Sequence, residues 1–139
     1  MRIERRFTEA GKSPYDGIEF RTTTSEIKNP DGSIVFQARN IEVPAEWSQV
    51  ACDVLAQKYF RKAGVPVRLK SVREADLPDW LCRHVPDEDA LGKLDKDQRT
   101  SGETKATQVF DRMAGTWTYW GWRGGYFDAE TDARAYYDE

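Results

Sequence analysis

One histidine and two cysteines in 139 residues leave little material for metal or thiol chemistry. Cys52 and Cys82 lie about thirty residues apart without paired knuckle spacing, and with His84 they offer three ligands at most, so no metal site is expected. Two cysteines are also too few for a disulfide framework, and both thiols are expected to be reduced. No apolar stretch is long enough to span a bilayer, and the opening MRIERRFTEAGK lacks the apolar core of a signal peptide, which makes a cytoplasmic, membrane-free protein the expectation. A large excess of either charge is missing too: 21 Lys and Arg stand against 24 Asp and Glu, a net charge of -3. No global basic field exists to draw in a polyanion, so nucleic acid is not an expected partner. Repeats, heptads and low-complexity tracts are absent, which excludes solenoids and coiled coils. The length suits one domain with a core of its own and excludes a large catalytic barrel.

What is present starts with a turn, a strand and a helix. Asn29-Pro30-Asp31-Gly32 has proline to preset φ and glycine to accept a positive φ, the signature of a tight turn. After it Ile34, Phe36 and Ala38 alternate with Val35, Gln37 and Arg39, the period of a strand with one buried face. Before it Ile18, Phe20 and Thr22 alternate with Glu19, Arg21 and Thr23, and the two runs are expected to pair antiparallel. Pro44 suits a helix start, and Trp47, Val50, Ala51, Val54, Leu55 and Tyr59 recur at helical spacing up to Gly64. These predict a helix over residues 45–63, roughly 28 Å long, lying as a lid on the hairpin.

Residues 1–16 read as an extended arm, its first ten residues mobile, and residues 65–99 as a solvated, irregular connector broken by Pro66, Pro78 and Pro86. Thr100 and Glu103 have the spacing of a capping box, and Ala106, Val109, Phe110, Met113, Trp117 and Trp120 form a helical stripe with Gly121 as its stop. Asp128 is placed to cap a last helix carrying Ala129, Ala133, Tyr136 and Tyr137 on one side. That helix closes on Asp138-Glu139, two acids at the negative end of its dipole, and so reads as interrupted. The class is α+β: a small antiparallel hairpin packed against a mainly helical domain, here one domain over residues 1–139 with the hairpin and its helix in 17–64 and two helices in 100–139.

Candidate chemistry is sparse. Cys82-Arg83-His84 sets a thiol near an imidazole, but a nucleophilic cysteine needs its base delivered by the fold, and a structural or exposed pair is the reading adopted. Trp117, Tyr119, Trp120, Trp122, Tyr126 and Phe127 beside Arg123 could stack on bases or clamp a ring-bearing ligand; packing is preferred, because base-stacking surfaces come with cations. Gly124-Gly125 reads as a turn, lacking the Gly-Lys-Ser/Thr pattern of a phosphate loop. Asp87, Glu88 and Asp89 read as a solvated face. No residue is assigned a catalytic, cofactor-binding or metal-binding role.

Two blocks nevertheless resemble a known family. VPAEWSQVACDVLAQKYFRKAGVP, preceded by an Asp-Gly-Ser turn and a strand, and TQVFDRMAGTWTYWGWRGGYFDAETDARAYYDE together cover about half the chain. In order and aromatic content they resemble the N-terminal region of class II, coenzyme B12-dependent ribonucleotide reductases. The resemblance implies a parent enzyme that reduces ribonucleotides to 2′-deoxyribonucleotides, DNA precursors, with adenosylcobalamin, a thiyl radical and a redox cysteine pair. This chain has no Asn-x-Cys-x-Glu radical loop, no redox pair and no Asn-Ser-Pro segment, and Cys52 and Cys82 match none of the family's catalytic cysteines. It then implies an architectural domain, inactive alone and binding no cofactor itself, whose partner is the remainder of the catalytic chain, with homodimer contacts among the options. A stand-alone aromatic module for nucleotide or single-stranded nucleic acid is the other reading.

Overall fold

The Asn29–Gly32 turn, in the computed structural model that describes Met1–Glu139, closes as its residues dictate: Gly32 takes φ 85° and its N–H donates to the Asn29 carbonyl at 2.9 Å. It joins β1 (Phe20–Lys28) to β2 (Ile34–Pro44) in an antiparallel pair, with Phe20 opposite Pro44 and Thr23 opposite Ile41. Below that point the register shifts, Ser25 standing opposite Ala38, and Asn40 adopts φ 55°. This extra residue is a bulge, and it reverses which parity of β2 faces inward. The expected apolar face of Phe36 and Ala38 is only half-buried and Ile34 is exposed, whereas Ile41 and Val43, beyond the bulge, are fully enclosed.

The helix expected over residues 45–63 is shorter and of two kinds. Pro44 ends β2, and the chain turns through Trp47, whose N–H bonds the Pro44 carbonyl. Ser48 supplies the N-cap, its Oγ accepting from Ala51 N at 3.3 Å, and α1 runs Gln49–Val54. A π-helical turn, Leu55–Tyr59, follows and ends with Phe60 N donating to Leu55 O. The wider turn rotates the buried side: Cys52, Leu55, Ala56 and Phe60 are enclosed, while Val50, at 72 % exposure, and Val54 and Tyr59 from the expected stripe face solvent. Lys62 Nζ satisfies two carbonyls that the turn leaves open, Ala56 O at 2.6 Å and Gln57 O at 3.0 Å.

Two compact units share the chain. The hairpin unit comprises Gly17–Val65 and Thr100–Phe110. Its core is Ile41, Val43, Cys52, Leu55, Ala56, Phe60, Ala106 and Val109, with Trp47 edge-on to Phe110 at 5.8 Å. Burial of a side chain the size of Ile41 or Val43 stabilises by about 1.5–3 kcal/mol. Arg21 fixes the strand-to-helix corner by donating to Ala45 O and Trp47 O.

The helical unit comprises Met1–Asp16, Pro66–Arg99 and Asp111–Glu139. Between the short strand β3 (Val65–Pro66) and β6 (Thr100–Ser101), the stretch expected to be irregular is ordered. β4 (Leu69–Ser71) pairs antiparallel with β5 (His84–Pro86), a 3₁₀ turn spans Asp79–Leu81, and Asp87 caps α2 (Glu88–Leu91) through Ala90 N. Leu77, Leu81 and Cys82 are buried there against Trp80, Tyr119 and Trp122, so the segment holds a core in place of a solvated connector. The remaining elements are α3 (Ala106–Arg123) and α4 (Glu130–Asp138). The result is an α+β fold of two-stranded antiparallel sheets and helices.

Both expected caps are relocated. Glu103 is buried and holds Arg61 through N and Nε, and the start of α3 is closed by Gln108, whose Oε1 accepts from Thr104 N and Lys105 N. Asp128 bonds the N-terminal ammonium, and α4 is capped by Asp132 accepting from Ala129 N at 3.1 Å. Gly121 does not stop α3: Phe127 lies over it so closely that a Cβ would sit 2.8 Å from the ring, and Gly125, at φ 68°, ends the helix two residues beyond Arg123.

The acids that close α4 have partners. Asp138 is buried between Arg5 at 2.8 Å and Arg134 at 3.0 Å, and Glu139 accepts from Phe7 N, Thr8 N and Thr8 Oγ1. Residues 1–8 thus lie beside α4, with Ile3 N adding a bond to Asp132 at 3.0 Å. No helix is long and apolar enough to cross a membrane.

Candidate functional surface

A cleft of about 520 Å³ opens in the helical unit between the Gly11–Tyr15 loop and Asp111, Arg134 and Tyr137. Asp111 Oδ1 accepts from Tyr15 OH at 2.6 Å and from Tyr137 OH at 3.4 Å. Burial first, then the Asp111 carboxylate, pushes both phenols above their ordinary range, so each stays protonated and donates. Lys12, at the rim, pairs with Glu9 at 2.6 Å. Arg134 lies over Trp80 and Tyr137 at 5.0 and 5.2 Å and is held by Asp138. The cleft's cations are therefore already engaged, and its lining includes neither thiol nor imidazole.

A second polar centre gathers on Glu74. Its carboxylate accepts from Arg83 Nε at 2.7 Å, Arg123 at 2.6 Å and Tyr119 OH at 2.9 Å, and Arg83 first, then Arg123 and Tyr119, hold its pKa at about 2. The sequence reading passed over Glu74, and no local spacing could have found it: its partners lie nine to forty-nine positions away.

Cys82-Arg83-His84 is taken apart by the fold. Cys82 is buried with its Sγ 3.6 Å from Pro78 O, Arg83 serves Glu74, and His84 is exposed on β5 opposite Ser71. Cys52 is fully buried in the other unit, 3.5 Å from Arg21. Gly124 and Gly125 form the turn after α3, their N–H groups donating to Trp120 O and Trp122 O. Of the acidic run, Asp87 caps α2 while Glu88 and Asp89 are exposed.

The aromatic run divides between two roles. Tyr119 and Trp122 pack on Leu77, Leu81 and Cys82, and Trp122 Nε1 donates to Asp76 O at 2.6 Å. Phe127 tilts against Tyr136 at 5.5 Å. Trp117, at 47 % exposure, Trp120, at 63 %, and Tyr126, at 65 %, project outward, so the expected stripe through Trp117 and Trp120 is not the packed side. Thr118 and Gly121 occupy that side, fully or nearly fully enclosed. The sequence signal was the choice between two helical stripes one residue, or about 100°, apart. Small residues under neighbouring rings marked the buried one.

Against known proteins, residues 21–139 match the family described as class II vitamin B12-dependent ribonucleotide reductase. The chain is 65 % identical over 139 residues to the vitamin B12-dependent ribonucleotide reductase of Bradyrhizobium diazoefficiens, and 63 % identical over 139 residues to that of Agrobacterium fabrum. Each alignment takes in 100 % of this chain and 11 % of the relative. The Streptomyces avermitilis protein of the same description is 41 % identical over 76 residues, 53 % of this chain and 8 % of that protein. The chain thus spans about a tenth of the length of these curated relatives, and with its match from residue 21 to residue 139 it belongs to the class II vitamin B12-dependent ribonucleotide reductase family, as the N-terminal domain.

Proposed function

We propose that this chain is the architectural N-terminal domain of an adenosylcobalamin-dependent ribonucleotide reductase, acting on ribonucleoside diphosphates, and that its role is to pack on the catalytic remainder. The observation that carries the reading is likeness along all 139 residues to one tenth of two reductases. The chain's own groups agree with it. Its two thiols are both buried, and neither lines the cleft. The cofactor does not fit the residues present: a corrinoid ring with its nucleotide tail exceeds the 520 Å³ cleft, whose lining offers no imidazole ligand. Chemistry through cobalamin is accordingly assigned to the rest of the enzyme.

The test is a full-length chimera in which this chain replaces the matching segment of the Bradyrhizobium relative. The chimera should reduce ribonucleotides, the 139-residue chain alone should not, and removing the segment should lower turnover or assembly. Unchanged turnover after removal would overturn the architectural role. Homodimer contacts belong to the same proposal and would appear as a change in sedimentation when the segment is removed. A second reading, a binding module for nucleotide or single-stranded nucleic acid, draws on exposed Trp117, Trp120 and Tyr126. It is the weaker, since nearby Arg123 is committed to Glu74.

A further inference from the structure

The outward side of α3 carries more aromatic surface than a solvated helix has reason to show. On a 3.6-residue turn, Met113, Thr116, Trp117, Trp120 and Gly124 fall on one stripe. Trp117 and Trp120 are 47 % and 63 % exposed on it, and Tyr126, 65 % exposed, lays its ring over Gly124, 3.4 Å from where a Cβ would stand. Apart from the Thr116 hydroxyl, which donates to Arg112 O at 2.7 Å, the stripe has none of the groups that would make it a polar face. Its flanking cation, Arg123, is turned onto Glu74 at 2.6 Å and over Tyr119 at 5.5 Å. Single exposed apolar residues are ordinary, but three large rings in one ridge mark an interaction surface, and tryptophan and tyrosine are the residues on which interfaces concentrate their energy.

The occupant follows from how the relatives are built. In them the equivalent of this chain is 11 % of one longer polypeptide, so the remainder is tethered to the ridge. A covalent tether gives effective concentrations on the order of millimolar, at which a small aromatic ridge suffices without the area that a free dimer needs. A phosphate-bearing ligand would instead call for unengaged cations beside the rings.

We infer that the Trp117–Trp120–Tyr126 ridge is the surface by which this domain docks into an apolar pocket of the reductase's catalytic remainder. This rests on the architectural reading above and gives it a location. Docking would bury both indoles and leave Trp122, already packed on Leu81, unchanged.

The experiment compares hydroxyl-radical oxidation of Trp117 and Trp120 in the 139-residue chain with that in the full-length chimera. Protection of at least about tenfold is expected in the chimera, as for rings at a desolvated interface centre. Trp117→Lys with Trp120→Lys should then make the junction after the domain cleavable by protease in the chimera, while circular dichroism of the short chain stays the same. Equal oxidation in both proteins overturns the ridge as the docking surface. Concentration-dependent protection of the short chain alone overturns it in favour of a second copy, and protection by an oligonucleotide in favour of nucleic acid. Failure of the architectural reading looks different. The whole domain is then released by protease from the unsubstituted chimera with no loss of turnover, whereas a wrong ridge leaves the domain resistant with its indoles freely oxidised.

Discussion

The hairpin unit and the helical unit are stabilised by different means. In the first, a backbone ladder between β1 and β2 and a set of aliphatic side chains, Ile41, Val43, Leu55 and Val109 among them, form the core. In the second, fewer aliphatics are buried, and order comes from rings and charge centres: Trp80 bonded to Glu130 and edge-on to Tyr137, Glu74 with two arginines and a tyrosine, Asp138 with Arg5 and Arg134. The difference matters for reading function. A ladder with an aliphatic core depends on volume, and tolerates exchange of polar residues at its edge. A network of rings and ions depends on particular partners, and a residue left out of it, as Trp117 and Trp120 are, stands out.

Core truncation should test the comparison most strongly. Trp122→Ala removes a ring packed on Leu77, Leu81 and Cys82 together with the bond to Asp76 O, and should cost about 3–5 kcal/mol in denaturant unfolding. Ile41→Ala, in the hairpin unit, should cost about 2–5 kcal/mol by the same measurement. If the units differ as described, amide exchange in each variant will rise first in the unit that carries the substitution. Uniform loss of protection would show a single cooperative core.

Overpacking comes next. Gly121→Ala would bring a Cβ to 2.8 Å from the Phe127 ring, and displacing that ring should cost about 1–3 kcal/mol, seen as a lower midpoint of thermal unfolding. Smaller again is the effect of acid. Glu74 has a folded pKa of about 2 against an ordinary 4.5, because Arg83, Arg123 and Tyr119 bind its charged form. A depressed carboxylate contributes stability that is whole above the unfolded pKa and is lost as pH falls from there through the folded value. Between pH 4.5 and about 2 the indole signal of Trp122 should therefore change, and Glu74→Gln should remove that dependence. Solvent at the rim of this cluster keeps the effect modest.

The turn at Gly32, the antiparallel pair and the existence of α3 and α4 were legible in the sequence, since each rests on local chemistry: φ preference, period 2 and period 3.6. What was not legible depends on a single inserted residue or on distant partners. The bulge at Asn40 reverses the inward parity of β2, and the π turn at Leu55–Tyr59 rotates the face that α1 began. No alternation count can anticipate either, because each changes the period it assumes. Capping failed for a related reason. Ser48, Gln108 and Asp132 are all cap-forming residue types, but Pro44, Glu103 and Asp128 are equally good candidates, and the choice was decided by Phe20, Arg61 and the chain's first residues. The stretch 65–99 reads as irregular because Pro66, Pro78 and Pro86 break it: Leu77, Leu81 and Cys82 are too few to show periodicity, yet enough to bury against Tyr119 and Trp122.

The smallest expected effect bears most directly on function. Trp117 and Trp120 belong to the same stripe as Val109 and Met113 by sequence, and a core role would make either truncation cost several kcal/mol. In the structure both rings leave the packed side to Thr118 and Gly121. Trp120→Ala should then alter the unfolding free energy of the 139-residue chain by no more than about 0.5 kcal/mol, the range for surface positions. Trp117→Ala should cost somewhat more, since about half of its surface is covered. The contrast with Trp122→Ala, two residues further on the same helix, removes composition and helix propensity as explanations and leaves burial and the bond to Asp76 O. If Trp120→Ala proved as costly as Trp122→Ala, the ridge would be part of the domain's own core and could not be what the reductase grips.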